Sequence, residues 1–340
     1  MMAMNKIRDS YWDSLKFYLI LLVVLGHTLE IVVTDGSFSR ALYNSIYLFH
    51  MPLFIFVSGR FSHVKDTKSF NRSIFKLLET LIIFQIIRSF VIPVIWGDNI
   101  EWKYLIVPNW ILWYLMALIW WRIMVKVSPP PHWLYYKKKY VIISAFLISI
   151  IGGFVPIGHP FEIQRTLAFL PFFVLGYYSK DINITEINDK IPLLVAIAFF
   201  CVVFWCFYKY LNFNMAWLLS AGQHYLDTDS PSMIIRVFSR LLWLPCSLIA
   251  CVMFLKLAQN NCVFANLGQR TMPIFIYHSF VLDVLKYLYK CSYVSISSTT
   301  IYLYFIVVFI IVIIMSNMRF FRFSLNLISN TTSLLRNKFS

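Results

Sequence analysis

The sequence predicts an all-α, polytopic integral membrane protein with about ten transmembrane helices and both termini in the cytoplasm. Two compositional observations and one pattern carry this. Of the 340 residues 60% are hydrophobic and only 13% are charged, where a soluble domain carries about 25% charged residues. So few charges cannot coat the exterior of a soluble chain of this length. Apolar runs of roughly 20 residues, enough to span the hydrocarbon as helices, recur from end to end. A secreted disulfide scaffold, a nucleic-acid-binding domain and a disordered tail are excluded as descriptions of the whole chain.

The first span, 15–33, has too long an apolar core for a signal peptide. The turn Thr34-Asp35-Gly36 follows it in place of a small-x-small cleavage site. The second, 42–59, contains Pro52, which is expected to kink it beside His50. Spans 75–95, 110–127, 140–157, 164–179 (the shortest), 191–209, 235–256, 272–289 and 299–317 follow. The longest polar connections are 128–139 and 210–234. The second holds Trp217, Gln223, His224, Asp227 and Asp229 and is placed at the outer surface. No internal repeat and no appended soluble domain are read. Cys201, Cys206, Cys246, Cys251, Cys262 and Cys291 form no Cys-x-x-Cys pair, so neither a zinc site nor a disulfide framework is predicted.

Orientation follows the basic residues. Lys and Arg number 30 against 15 Asp and Glu, a formal charge of +15. Most of the excess falls in alternate loops: Arg60 to Lys76, Lys126 to Lys139, and Arg319 to Lys338. Cations in alternate loops mark the cytoplasmic side and attract anionic lipid, which accounts for the charge without nucleic acid.

Ionisable groups inside spans are costly and mark function. The first span carries Lys16, His27 and Glu30, with Gly26 beside the histidine. Eleven residues return a helix to nearly the same face, so Lys16 and His27 share a stripe about 16 Å apart along the axis. Counting back from the short turn between spans one and two places His50 at the depth of His27. Lys16 then falls level with Ser58-Gly59-Arg60. Taken singly these groups have ordinary explanations: a helix–helix hydrogen bond for a histidine, snorkelling for Lys16. Their coincidence on one helical hairpin favours a site. Arg88, Arg165, Arg236, Arg240 and His278 are further polar groups within or beside spans, with Arg236 and Arg240 at i, i+4. Trp113 and the other outer tryptophans could stack on sugar rings, although such residues also form the interfacial belt.

Lys16-x10-His27 with Asp13 resembles the Arg/Lys-x10-His signature of the membrane-bound acyltransferase-3 family. His50-Met-Pro-Leu-Phe54 with Ser58-Gly59, Leu170-Pro-Phe-Phe173 with Gly176-Tyr177, and Gly268-Gln-Arg-Thr271 with Tyr277-His278 are similar to its later segments. The likeness covers roughly residues 8–318 and is nearest to the fucose 4-O-acetylase-like group that modifies bacterial surface polysaccharides. It implies a single transmembrane acyltransferase domain over 1–340 in the bacterial inner membrane. It also implies acetyl-CoA as donor and a glycan or lipid-linked saccharide as acceptor, with no metal and no nucleic acid. Relatives often carry Arg-x-x-Arg after the second helix; here Arg72 is followed by Lys76 at spacing four.

Acyl transfer needs a base for the sugar hydroxyl, and a neutral imidazole in a dry site serves. His27 is assigned that role, with Glu30 orienting its ring. His50 is assigned to the oxyanion or to positioning the donor. Ser58 and the cations Lys16, Arg60, Arg72 and Lys76 are placed at the donor's phosphates. Trp113, Arg165, Arg236, Arg240, Tyr277 and His278 are candidates for the acceptor cavity. The competing reading is a transporter or flippase for a lipid-linked saccharide, with the same charges lining a pathway.

Overall fold

The computed structural model of the protein describes residues 10–31, 33–64, 66–97, 99, 107–127, 138–156, 160–226, 231–259, 264–269 and 271–291, with a few more between 306 and 314. Among these residues every regular element is helical. In chain order they are α1 (Ser10–Leu29), α2 (Phe38–Tyr47), α3 (His50–Arg60), α4 (Thr67–Trp96), α5 (Trp113–Val127), α6 (Lys138–Ile151), α7 (Ile163–Tyr178), α8 (Ile184–Asp189), α9 (Leu193–Lys209), α10 (Ala216–Leu219), α11 (Met233–Ala258), α12 (Ala265–Gly268) and α13 (Thr271–Cys291). Short 3-10 turns, Trp110–Leu112, Gly152–Phe154 and Pro160–Glu162, join some of them. The expected span 299–317 lies almost wholly outside the described residues.

Three segments are helical, long and apolar enough to cross a membrane: α1, α4 and α11. A fourth is formed by α2 and α3 together, Phe38–Arg60. α9 is a shorter apolar helix. Their outward faces are those of a membrane protein: Phe75, Ile82 and Val94 on α4 and Ile234, Phe238 and Leu242 on α11 are exposed apolar side chains. A water-facing surface would not hold such rows.

α1 is the centre of the bundle. It packs on α2, α3, α11, α12 and α13, and Leu15, Leu19, Ile20 and Leu29 are fully enclosed. Polar contacts gather at two ends. At the Lys16 end, Arg60 reaches Ser179 and Ile182. At the other, the Asn44 amide donates to Leu211 O and Phe213 O, each at 3.1 Å, and Tyr225 N donates to Gly153 O at 2.7 Å. α7, the shortest predicted span, runs the whole way between them. Its Arg165 bonds Ser220 O at one end and its Tyr177 O accepts from His63 at the other.

The second span is broken rather than kinked, and the break precedes the position expected. α2 stops at Tyr47 and α3 starts at His50, with Phe49 at φ −134°, ψ −23° between them. Pro52 lies in the first turn of α3 and has no N–H to give Leu48 O four residues before it, so the helical bonding lapses at the break. α11 bonds the carbonyls at the break: Leu48 O, and Phe49 O, which also accepts from Leu53 N at 2.9 Å. Ser247 Oγ donates to Leu48 O at 2.5 Å and Cys251 Sγ to Phe49 O at 3.7 Å.

α3 and α7 make the most intimate crossing in the bundle. A Cβ on Gly59 would overlap the Phe173 carbonyl, and one on Gly176 would overlap the Phe56 carbonyl. The two glycines face each other's backbones, the small-residue contact that lets helices close up in lipid. Gly176→Ala is therefore expected to cost about 1–3 kcal/mol by overpacking. Thermal unfolding in detergent checks this, and a melting temperature equal to the wild type would show that the helices do not cross at these glycines.

Candidate active site

The last turn of α1 carries His27, and two groups converge on its Nδ1. Nδ1 lies 3.1 Å from Glu30 Oε1 and 3.2 Å from Tyr47 Oη. The Tyr47 hydroxyl donates to the same Glu30 Oε1 at 2.5 Å. With that proton committed to the carboxylate, both neighbours of Nδ1 are acceptors. Nδ1 therefore carries the ring hydrogen, and Nε2 keeps its lone pair. Gly26 makes the arrangement possible, because a Cβ there would come within 2.7 Å of the Tyr47 ring. What approaches the glycine is thus a tyrosine from α2.

Around this unit lies a shell of rings and charges. Trp110, held at φ +43°, meets His27 edge-on at 4.8 Å. His278 of α13 stacks on His27 at 5.7 Å with 21° between the rings. Its Nδ1–H donates to Ile274 O at 2.9 Å, and its buried Nε2 has no hydrogen-bond partner among the described residues. Lys286 Nζ lies 3.8 Å from Glu30 Oε2 and 4.0 Å from the Trp110 ring centre. Arg88 pairs with Asp283 at 2.7 Å and bonds Ser279 Oγ at 2.7 Å. Two cations and two carboxylates thus stand around the imidazole. Charges stay stable in a low-dielectric interior only in such an arrangement.

His50 is almost fully buried, and its Nδ1–H donates to Ile46 O at 2.8 Å. The Tyr47 ring stands between it and His27, 4.6 Å from His50 and 6.3 Å from His27. The two histidines are therefore at similar depth, linked through that tyrosine.

At the Lys16 end a cavity of about 210 Å³ is lined by Lys16, Phe54, Ser58, Tyr114, Arg122 and Phe275 among others. Lys16 Nζ is 2.7 Å from Asp13 Oδ1, and Ser58 Oγ bonds Tyr114 Oη at 2.5 Å. Arg122 donates to Ser73 Oγ at 2.5 Å and to Ser62 Oγ at 3.2 Å. Phe54, Tyr114 and Phe275 pack edge to face along the cavity, and Phe275 in turn lies against the His278 ring at 6.3 Å.

The structure thus brings Lys16 and Ser58 to a common cavity, and leaves Arg60, Arg72 and Lys76 out of its lining. Arg60 bonds the Ser179 and Ile182 carbonyls beyond the C-terminus of α7 and lies 4.5 Å over the Trp12 ring. Arg72 and Lys76 are exposed on α4. The candidates for an acceptor cavity are not gathered in one place either. Arg165 pairs with Glu162 at 3.0 Å and lies over Trp113. Arg236 and Arg240 line a separate small pocket, and Tyr277 packs on Phe84 and Phe280. Only His278 reaches His27. Sequence reading missed Tyr47, Trp110, Arg122, Asp283 and Lys286 as members of these sites. Arg122, Asp283 and Lys286 had a signal, ionisable groups inside apolar spans. Among the described residues no group of His, Cys, Asp and Glu is arranged to hold a metal ion.

A membrane-type helical bundle with a histidine–carboxylate pair in its interior belongs to a known class. The chain is a member of the acyltransferase-3 family, whose model, described as an acyltransferase domain, matches residues 9–317. Individual relatives are similar over short stretches only. The nodulation protein NolL of Sinorhizobium fredii is 47% identical over 55 residues, 15% of this chain and 15% of that one. NolL of Mesorhizobium japonicum is 43% identical over 58 residues, 16% of each. The matches therefore span about a sixth of those relatives' length. No solved structure matches.

The ion pair beside the imidazoles is directly testable. Arg88→Ala leaves Asp283 buried without its cation and is expected to cost about 3–5 kcal/mol. Arg88→Ala combined with Asp283→Ala should recover much of that loss. Unfolding of both single variants, the double variant and the wild type in detergent measures the difference; additive losses would show that the residues are not paired.

Proposed function

We propose that the protein is a membrane-embedded O-acyltransferase of the bacterial inner membrane. It moves an acetyl group from acetyl-CoA to a sugar hydroxyl of a surface glycan or its lipid-linked precursor. The observation that carries this is the hydrogen-bonded set His27–Glu30–Tyr47, which commits Nδ1 and leaves the Nε2 lone pair available. Ten crossings with both termini cytoplasmic fit the alternation of the helices between the two ends, and put the Lys16 cavity on the side where the donor arrives.

In this mechanism the sugar hydroxyl gives its proton to His27 Nε2 as its oxygen attacks the thioester carbonyl. The resulting imidazolium is stabilised by Glu30. When the carbon–sulfur bond breaks, the thiolate leaves and takes the proton back from Nε2, and His27 returns to its neutral form. Glu30 and Tyr47 act as positioning residues, since they hold the ring through Nδ1. His50 has its own Nδ1–H committed to Ile46 and offers only a lone pair at Nε2 when neutral. Its role is therefore to hold the Tyr47 ring, in place of donating to an oxyanion. Lys16 and Arg122 provide the cationic wall of the donor cavity, with Ser58 beside them. Arg72 and Lys76, exposed nearby, are left for the donor's distal phosphates.

Purified protein in detergent, incubated with radiolabelled acetyl-CoA and a glycan extract, tests the reading. His27→Ala should lower label transfer by about 100-fold or more while the variant still purifies as folded protein. Transfer at the wild-type rate would remove His27 from the chemistry. Neither binding nor turnover of acetyl-CoA by folded wild type would replace the acyltransferase reading with a transporter.

Lys16→Ala separates donor binding from chemistry. It should raise KM for acetyl-CoA about tenfold, the loss expected for one charged hydrogen bond, with kcat little changed. Saturation curves measure this, and an unaltered KM would take Lys16 out of the donor site.

A further inference from the structure

The first two turns of α11 hold Arg236 and Arg240, which are only 2% and 3% exposed. Arg236 is bonded to neutral acceptors: its Nε donates to Pro231 O at 2.8 Å and its Nη1 to His224 O at 3.3 Å. Arg240 lies 5.1 Å over the Trp243 ring and beside the Tyr225 hydroxyl. Its Nε and Nη1 are without a hydrogen-bond partner, as is His224 Nδ1, and the Tyr225 hydroxyl, which lies against the Arg240 guanidinium, finds no acceptor for its own hydrogen; all four atoms are buried. The residues that carry these atoms, His224, Tyr225 and Arg240, line one small cavity together with Arg236. Among the described residues the nearby carboxylate of Glu162 is already paired with Arg165.

A guanidinium buried as Arg240 is, with no carboxylate on it among the described residues and a second guanidinium one turn away, is unfavourable unless an anion joins it. The unused groups are a guanidinium edge, a phenol and an imidazole nitrogen that can carry hydrogen. A pocket in excess of donors is completed by a ligand that only accepts. From this we infer that Arg240, with Arg236 one turn before it, forms a binding site for a phosphoryl group at the end of the bundle opposite the Lys16 cavity. A phosphoryl group suits it better than a carboxylate because it presents more oxygens to the separate donors. The cavity is about 10 Å³, room for roughly one water-sized atom. One phosphoryl oxygen enters, and the remainder of the group lies at the rim. Such a group has two sources at a membrane surface, the headgroup of a phospholipid or the diphosphate of a lipid-linked saccharide. The inference requires no step of the acyl transfer and stands or falls apart from it.

The full chain purified in a maltoside detergent, which contains no phosphate, is titrated with phosphatidylglycerol and separately with a polyprenyl diphosphate. The readout is the melting temperature. A saturable rise of about 4 °C or more is expected with at least one of them, and it should vanish in Arg240→Gln. A rise with polyprenyl diphosphate alone assigns the lipid-linked source, and a rise with phosphatidylglycerol the bulk headgroup. Where Arg240→Gln does not yield monodisperse protein, Tyr225→Phe takes its place. Loss of that hydroxyl should raise the half-saturating concentration about fivefold, as for one hydrogen bond. No response of the wild type to either lipid, or an undiminished response in these variants, overturns the site. So does a wild type that ignores both lipids while Asp227→Asn with Asp229→Asn destabilises it as Arg240→Gln does, because a loop carboxylate is then the partner.

Discussion

Charge in a medium that cannot solvate it is the constraint to which the bundle answers. Glu30, Arg88, Asp283 and Lys286 come from α4, α13 and the end of α1, and each is affordable in the interior only because the others are there. The set ties three helices to one another at the depth of His27. It also fixes the field around that imidazole, since opposite charges stand on both sides of it. A histidine in an apolar helix without such surroundings would be a packing residue. With them its Nδ1 edge is committed and its Nε2 edge is available.

A second constraint is the backbone contact between α3 and α7 at Gly59 and Gly176. Close crossing draws Ser58 and the α7 terminus toward α1. The space left between α1, α3, α5 and α13 is the Lys16 cavity. The glycines that take part in the family resemblance therefore have a structural reason of their own, and none of them need touch a substrate. The same holds for Arg60, which bonds carbonyls beyond the end of α7. Basic residues in this chain divide into those that orient the protein, those that bond helix ends and those left facing a cavity. Only the third group has anything to offer a ligand.

The two ends of the bundle are chemically unlike. At the Lys16 end the cations line a roomy cavity with largely apolar walls, and Lys16 keeps Asp13 as a companion. At the α11 end the guanidiniums sit under tryptophan rings in a space too small for more than an atom. On the proposed reading the first admits the long, flexible donor, and the second holds one charged group in place.

Much of this was legible in the residues. The scarcity of charge and the length of the apolar runs determine a helical membrane protein, because a backbone in lipid must satisfy its own hydrogen bonds. Helical periodicity alone puts Lys16, His27 and Glu30 on one stripe, and these contacts depend only on positions three and eleven apart. What the sequence could not reveal depends on distances across the chain. Asp283 and Lys286 are more than 190 residues from Arg88 and 250 from Glu30, and no local pattern marks them as partners. The break before His50 also belongs to tertiary structure, since hydroxyl and thiol groups of α11 bond the carbonyls there. Likewise, whether a cation serves a cavity or a helix end is settled by what packs against it. The sequence determined which polar groups enter the membrane, and the packing of distant helices decided which of them meet.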